Sequence, residues 1–376
     1  MPFLDKIVSS VGDFDYGKSL INELRKTSYP NYIYGAGYLG FQILTLLSKV
    51  HIPIAGIVVD DNYWNNAQTV EKLTVLPLNE ICNSEKCINL IMAFDESLNV
   101  IRKKLSNNKH INKIYQLDPD SINTNHLTYS YVIDNISKFE AVYDMCEDEL
   151  SRNVFCNFIN TKITGNTSYL NNICTRDIYF PKDIITLKDD EIFVDCGAFD
   201  GDTIISFLKN ANDVYDKIYA FEPNPANISI LNDTIQKNEI KNVTVLPYGV
   251  WSEKNVLKFI SSNEKSQTGS FVSSISCHDA STLNITELAV ESIDSAIDIR
   301  EKVSFIKMDI EGSELNALAG AQNTIKTHKP KCAISAYHTK EDICGIPLLL
   351  KSFNPSYKIY FRQHHYVSWD MVCYAV

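Results

Sequence analysis

At 376 residues the chain is long enough for two or three domains and too long to be a single small module. Its composition, 45% hydrophobic and 22% charged with only 14 Gly and 12 Pro, is that of a packed globular chain and excludes a disordered or fibrous one. Asp plus Glu outnumber Lys plus Arg by 46 to 35, and the net charge of −11 would repel a phosphate backbone or an anionic membrane, so nucleic acid is not an expected partner.

From the N-terminus, Met1 to Tyr16 lacks the basic start, apolar stretch and small-residue cleavage site of a secretory signal. No apolar run approaches the roughly 18 residues that span a bilayer. A cytoplasmic location without membrane insertion is expected. The ten cysteines include no C-x-x-C, which fits reduced, buried thiols better than a disulfide framework or a zinc site.

Asn31 to Tyr34 reads as a strand running into Gly35-Ala36-Gly37-Tyr38-Leu39-Gly40, followed by an amphipathic run to Val50. A second strand, Ile54 to Val59, ends in Asp60, and strands at Leu73 to Leu76, Ile88 to Ala93 and Lys113 to Gln116 complete a small Rossmann-like domain, residues 1–118. Its candidate substrate-nucleotide residues are Gly35, Gly37, Tyr38, Gly40 and Asp60. The basic stretch Arg102 to Lys113 reads as a solvated helix face. Residues 119–190 change to helical periodicity, with Val132, Ile136, Phe139, Val142 and Tyr143 on one face, and form a helical bridge.

A second alternating β/α series fills residues 191–376. Strands are expected at Ile192 to Asp195, Lys217 to Phe221, Val243 to Leu246, Val303 to Met308 and Cys332 to Ala336, giving a parallel sheet, with Tyr357 to Arg362 and Met371 to Ala375 as a closing antiparallel hairpin. The fold class is α/β. The polar stretch Ser261 to Thr282, with Gly269, Ser270 and His278, reads as either an acceptor-side loop or a surface insertion.

The chemistry is concentrated where the first of these strands ends in Asp195-Cys196-Gly197-Ala198-Phe199-Asp200-Gly201-Asp202-Thr203. The spacing is Asp-x-Gly-x-x-x-Gly, unlike the turn at Gly35. It suits S-adenosylmethionine better than a dinucleotide: there is no pyrophosphate to cradle, the acid is placed to meet an ammonium group, and the following helix N-terminus faces a carboxylate. Glu222, in Phe221-Glu222-Pro223-Asn224-Pro225, ends the second strand, where an acid can accept ribose hydroxyls.

These motifs, with Phe305-Ile306-Lys307-Met308-Asp309-Ile310-Glu311-Gly312-Ser313-Glu314, Gly320-Ala321 and Lys329-Pro330, make the chain from about Tyr179 to Val376 resemble the FkbM family of S-adenosylmethionine-dependent methyltransferases. The resemblance implies a class I methyltransferase fold and methyl transfer to a hydroxyl, often of a sugar or glycoside. Matched to the family's cofactor site are Asp195, Gly197, Ala198, Phe199, Gly201 and Thr203 in the loop, Glu222 at the ribose and Val250 at the adenine. Cys196 reads as a packed thiol and not a nucleophile.

Methyl transfer to an alcohol needs the acceptor oxygen held in line and its proton removed. Ligands of a parallel sheet gather at the carboxyl ends of its strands, which singles out Asp309, Glu311 and His338 as catalytic residues. Of Glu311 and Glu314, three apart, one is expected to face the cleft and the other to be solvated. Asp309 and His338 with His364 or His365 are also the donor set of a divalent metal site for Fe²⁺, Mn²⁺ or Mg²⁺, and without a metal His338 is the natural base. The acceptor expected is a nucleotide-activated or capsule-type sugar. The front domain would bind its nucleotide or mediate homodimer contacts. Two other readings remain: an NAD(P)-dependent oxidoreductase working through Gly35, Gly37, Gly40 and Asp60, and a non-catalytic nucleotide-binding or assembly protein.

Overall fold

The computed structural model describes residues 2–8, 16–65, 68–71, 73–84, 87–122, 127–261, 269–272 and 284–376. Contacts divide the chain into two discontinuous units. The first comprises Met1–Tyr143, Arg152–Thr175 and Gln363–Trp369; the second comprises Asp144–Ser151, Arg176–Arg362 and Asp370–Val376. Residues 119–190 thus form no body of their own and are shared between the two. No helix among the described residues is long and apolar enough to cross a membrane.

The first unit is built on strands β1 (Asn31–Tyr34), β2 (Gly56–Val59), β3 (Thr69–Val70), β4 (Leu73–Pro77), β5 (Ile88–Met92) and β6 (Ile111–Gln116), in the order β3-β4-β2-β1-β5-β6. All the pairs except β3 with β4 are parallel. Successive residues of β1 point to opposite faces. Ile33 packs with Ile43, Leu47 and Ile57 on one side, and Tyr32 and Tyr34 pack with Leu78, Leu90 and Leu98 on the other. Both faces are covered, so the strands read as nearly continuous apolar runs.

The second unit carries β7 (Ile192–Cys196), β8 (Lys217–Phe221), β9 (Val243–Leu246), β10 (Gly249–Val250), β11 (Asn255–Ser261), β12 (Gly269–Val272), β13 (Asn284–Glu291), β14 (Phe305–Met308), β15 (Lys331–Ser335), β16 (Ile359–Gln363) and β17 (Met371–Ala375). Its main sheet runs β16-β17-β15-β14-β7-β8-β9. The five strands from β15 to β9 are parallel, and β17 is antiparallel to β15. Lys358 and Val376 exchange both backbone hydrogen bonds, at 2.8 and 3.2 Å, as a closely paired antiparallel couple does. Phe193 stacks on Phe207 with ring centroids 4.5 Å apart, and Phe180 closes on Phe305 edge-on at 5.4 Å, filling one face of the sheet.

A second, four-stranded sheet, β10-β13-β11-β12, was not anticipated from the sequence. Gly269 and Ser270, assigned above to a loop, lie in β12 and pair with β11. Residues 262–268 and 273–283 of that stretch, His278 included, lie outside the described residues.

Candidate active site

The order of the main sheet reverses between β7 and β14: β8 and β9 continue on one side of β7, while β14 and β15 lie on the other. In open parallel sheets a ligand crevice forms at such a reversal, beyond the carboxyl ends of the strands. A cavity of about 340 Å³ lies there, within the usual range of small-molecule sites. Gly197, Phe199, Thr203, Glu222 and Val250 line one part of it, and Tyr179, Lys307, Asp309, Glu311 and Asp370 another.

Gly197 follows β7 with φ +83°, and a Cβ there would sit 2.2 Å from the backbone oxygen of Asp309. Only glycine lets the ends of β7 and β14 approach so closely while leaving the backbone open to a ligand. Phe199 takes the left-handed conformation without being glycine, at φ +49°, and Glu222 holds it there by accepting its N–H at 3.0 Å. The other oxygen of Glu222 accepts from Asn224 N–H at 2.9 Å and Asn227 Nδ2 at 3.1 Å. Burial raises the Glu222 carboxyl above its ordinary value, and these donors oppose the shift. With about two acceptor positions per oxygen, the free capacity for a ribose hydroxyl lies chiefly on Oε2.

Asp195 and Ala198 are fully buried and, like Gly201, do not line the cavity. The ammonium that Asp195 meets is that of Lys307, 3.0 Å away. The register of β7 and β14 sets Asp195 directly opposite Lys307, whose Nζ also donates to the Gly197 carbonyl at 2.9 Å. Burial pushes the Asp195 carboxyl up to about 6, Lys307 counteracting it, and the pair remains ionised at neutral pH. Lys307, in turn, does face the cavity. Cys196 is buried between these residues with its thiol held well above the ordinary range, chiefly by burial, so it is no nucleophile.

On the far side of the reversal, a left-handed step at Glu311 (φ +56°) and Gly312 (φ +91°) turns the chain from β14 into the helix Glu314–Ala319. That turn brings three carboxylates around His338, which follows β15. Its Nδ1 is 2.9 Å from Glu314 Oε1, and its Nε2 is 3.5 Å from Asp309 and 3.7 Å from Glu311. Burial by itself would disfavour the imidazolium, but Glu314, Asp309 and Glu311 outweigh it and push His338 up to about 10. Burial raises Asp309, but His338, Lys307 and the Tyr179 hydroxyl, which donates to Oδ2 at 2.7 Å, pull it below its ordinary value. Burial leaves Glu311 raised. His338 is therefore an imidazolium at neutral pH and, so long as it keeps that proton, not the base expected of it.

Of Glu311 and Glu314, one was expected in solvent, but both reach His338, and Glu314 is the more deeply set. It is fully buried, and it also accepts the Ile310 N–H at 2.9 Å. Among the described residues, Asp309, Glu314 and His338 bring donor atoms within 4.8 Å of one another, spacing compatible with a metal ion. His364 and His365 belong to the other unit. There, His364 Nδ1 lies 3.1 Å from the Thr175 carbonyl, and His365 Nδ1 accepts from Val367 N–H at 3.1 Å and lies 3.4 Å from Asp95.

In the first unit, a cavity of about 610 Å³ lies at the carboxyl ends of β1, β2 and β5 and is lined by Gly35, Gly37 and Asp60. Gly40 lies beneath it, where a Cβ would meet the Gly35 carbonyl at 2.3 Å, and Tyr38 is exposed with its ring 6.0 Å from that of Trp369.

The glycine turn, the buried acid Glu222 and the reversed parallel sheet of the second unit are those of a Rossmann-like methyltransferase fold. Residues 195–366 match the family model of the methyltransferase FkbM domain. The coarse function is S-adenosylmethionine-dependent methyl transfer. The crystal structure of methyltransferase FkbM from Methylobacillus flagellatus KT is similar in fold over 100% of this chain and 98% of its own, with TM-score 0.70 and 20% identity. Aeropyrum pernix fibrillarin with natively bound S-adenosyl-L-methionine aligns with 52% of this chain and 71% of its own at 10% identity, but its TM-score of 0.31 is too low to bear on the site. Comparison with curated proteins finds no match.

Proposed function

We propose that the second unit methylates a hydroxyl of a sugar, carried on a nucleotide or on a surface polysaccharide. The observation that carries this reading is the cluster of Asp309, Glu311 and His338, whose two acids line the same cavity as the Gly197 turn. The donor supplies a methyl group already activated as a sulfonium. Gly197 and Phe199 would accept it closely against the backbone, Val250 and Tyr248 would flank its adenine, and Glu222 Oε2 would take a ribose hydroxyl. A neutral, hydroxyl-rich acceptor suits a wall of carboxylates, which can receive several O–H donors.

The acceptor hydroxyl must lose its proton as the new O–C bond forms. The His338 imidazolium keeps Asp309 and Glu311 ionised beside it, and Glu311, with the higher carboxyl pKa, is the better proton acceptor of the two. A second version rests on the spacing of Asp309, Glu314 and His338: these three would hold a divalent cation in place of the imidazole proton, and the ion would supply Lewis-acid assistance to ionisation. Exhaustive chelation separates the two versions, since turnover disappears and returns with Mn²⁺, Fe²⁺ or Mg²⁺ only in the second.

The test of the reading itself is mass spectrometry of products after incubation with S-adenosylmethionine and a panel of nucleotide sugars and glycosides. The expected result is one added methyl on a sugar oxygen. Methylation confined to nitrogen or sulfur acceptors, with every sugar unmodified, would overturn it.

A further inference from the structure

The 610 Å³ cavity of the first unit is larger than the methyltransferase cavity and plays no part in the chemistry described above. It sits at the point where that sheet also reverses, β2 and β4 lying on one side of β1 and β5 and β6 on the other. Asp60, at the end of β2, is held in place by two donors: Tyr34 Oη at 2.6 Å on Oδ1 and Lys104 Nζ at 2.6 Å on Oδ2. Burial and the adjacent carboxylate push the Tyr34 phenol above its ordinary value, so it remains a donor. Each Asp60 oxygen keeps about one acceptor position, and the side chain is 25% exposed. Two adjacent acceptors, fixed in orientation and open on one side, match a vicinal diol. Lys104 offsets the charge of Asp60, so an anionic ligand is not repelled by it.

Val59, the last residue of β2, and Tyr63 beyond it, with Phe94 and Val100 beyond β5, supply the apolar and aromatic parts of the remaining wall, which also carries Gln68, Asp95 and Glu96. At the other end Gly35, at φ +127°, passes so close to β5 that a Cβ would strike the Ala93 carbonyl at 2.5 Å. Gly37 is different: its φ is −84° and an added Cβ would meet nothing within 4 Å, so its backbone is open to the cavity.

We infer that this cavity binds a ribonucleotide, with the ribose diol on Asp60, the base between the aromatic walls and the 5′-phosphates along the Gly35–Gly37 turn. The inference is independent of which hydroxyl the second unit methylates. Lys104 and Tyr34 act as positioning residues for Asp60.

Calorimetric titration of the full chain with UDP, GDP, CDP and ADP tests it, followed by the 2′-deoxy form of whichever binds best. At least one ribonucleotide should bind, its 2′-deoxy form should bind tenfold or more weakly, and Asp60→Asn should cost a similar factor. Because Asp60→Asn also alters the Tyr34 and Lys104 contacts, Gly37→Val provides a second variant at a position whose backbone tolerates a side chain; it should likewise weaken nucleotide binding tenfold or more. S-adenosylmethionine binding should be unchanged in both, which separates failure here from failure in the methyltransferase unit. No heat with any ribonucleotide, equal affinity for the deoxy form, or NAD preferred over every mononucleotide would overturn the inference.

Discussion

Asp195 and Lys307 are both almost wholly buried, and each is the other's ionic partner. Replacing Asp195 by Asn leaves a buried ammonium without its carboxylate, the kind of change that costs about 3–5 kcal/mol. Urea denaturation should show that loss, and a midpoint within error of the parent would mean that the pair does not hold β7 to β14. At Gly197 the expected effect is on binding: the Ala variant meets both a positive φ and a Cβ contact of 2.2 Å, so the turn must move out of the cavity. S-adenosylmethionine affinity should fall at least tenfold, read by calorimetry. For Glu222→Ala the loss should again be tenfold or more, since a contact to a charged acceptor contributes about 1.5–3 kcal/mol and the Phe199 N–H is released as well. The placement of Asp309, Glu311 and His338 at the carboxyl ends of strands was legible in the sequence because each lies within three residues of an apolar strand end. Asp195 was legible as important but not in its role, since the ammonium opposite it comes from the neighbouring strand and only the register reveals the pairing.

Among the elements, the parallel strands were readable because burial on both faces leaves continuous apolar runs, and β1, β8 and β9 match their expected limits. The second sheet was not. In β13 exposed Ile285 alternates with polar residues while Val290 is buried, and β11 exposes Val256, so neither strand presents the uninterrupted apolar signature. Glu314 escaped for a related reason. Its three-residue offset from Glu311 suggested opposite orientations on one helix, but Glu311 lies in the left-handed step before the helix begins, and both acids reach His338. This turn gives a pH prediction. The folded value of His338, about 10, lies above an unfolded one of roughly 6.5, so its contribution to stability is complete below about pH 6.5 and is lost as pH rises through 10. The stability difference between the parent and His338→Gln should therefore shrink across that interval in denaturation series at matched salt. A difference that stays constant would show that the imidazolium is not held by its three carboxylates.

At the scale of the whole chain, two units each carry an open sheet with a cavity at its reversal, but the glycine turns differ in kind. Gly197 serves a strand-to-strand contact beside a buried ion pair, whereas Gly35 and Gly37 leave a roomier site with a fixed carboxylate. Length indicated two or three domains, but not that residues 119–190 would be divided between the two units or that 363–369 would join the first, because that depends on long-range packing that no local pattern encodes. The measurement closest to the central claim is titration of S-adenosylmethionine into the full chain and into Gly197→Ala, with circular dichroism to verify the fold of both. Binding of one equivalent by the parent and at least tenfold weaker binding by the variant is the expected result. No binding by the parent, or undiminished binding by a folded Gly197→Ala protein, would contradict the assignment of methyl-donor binding to this cavity.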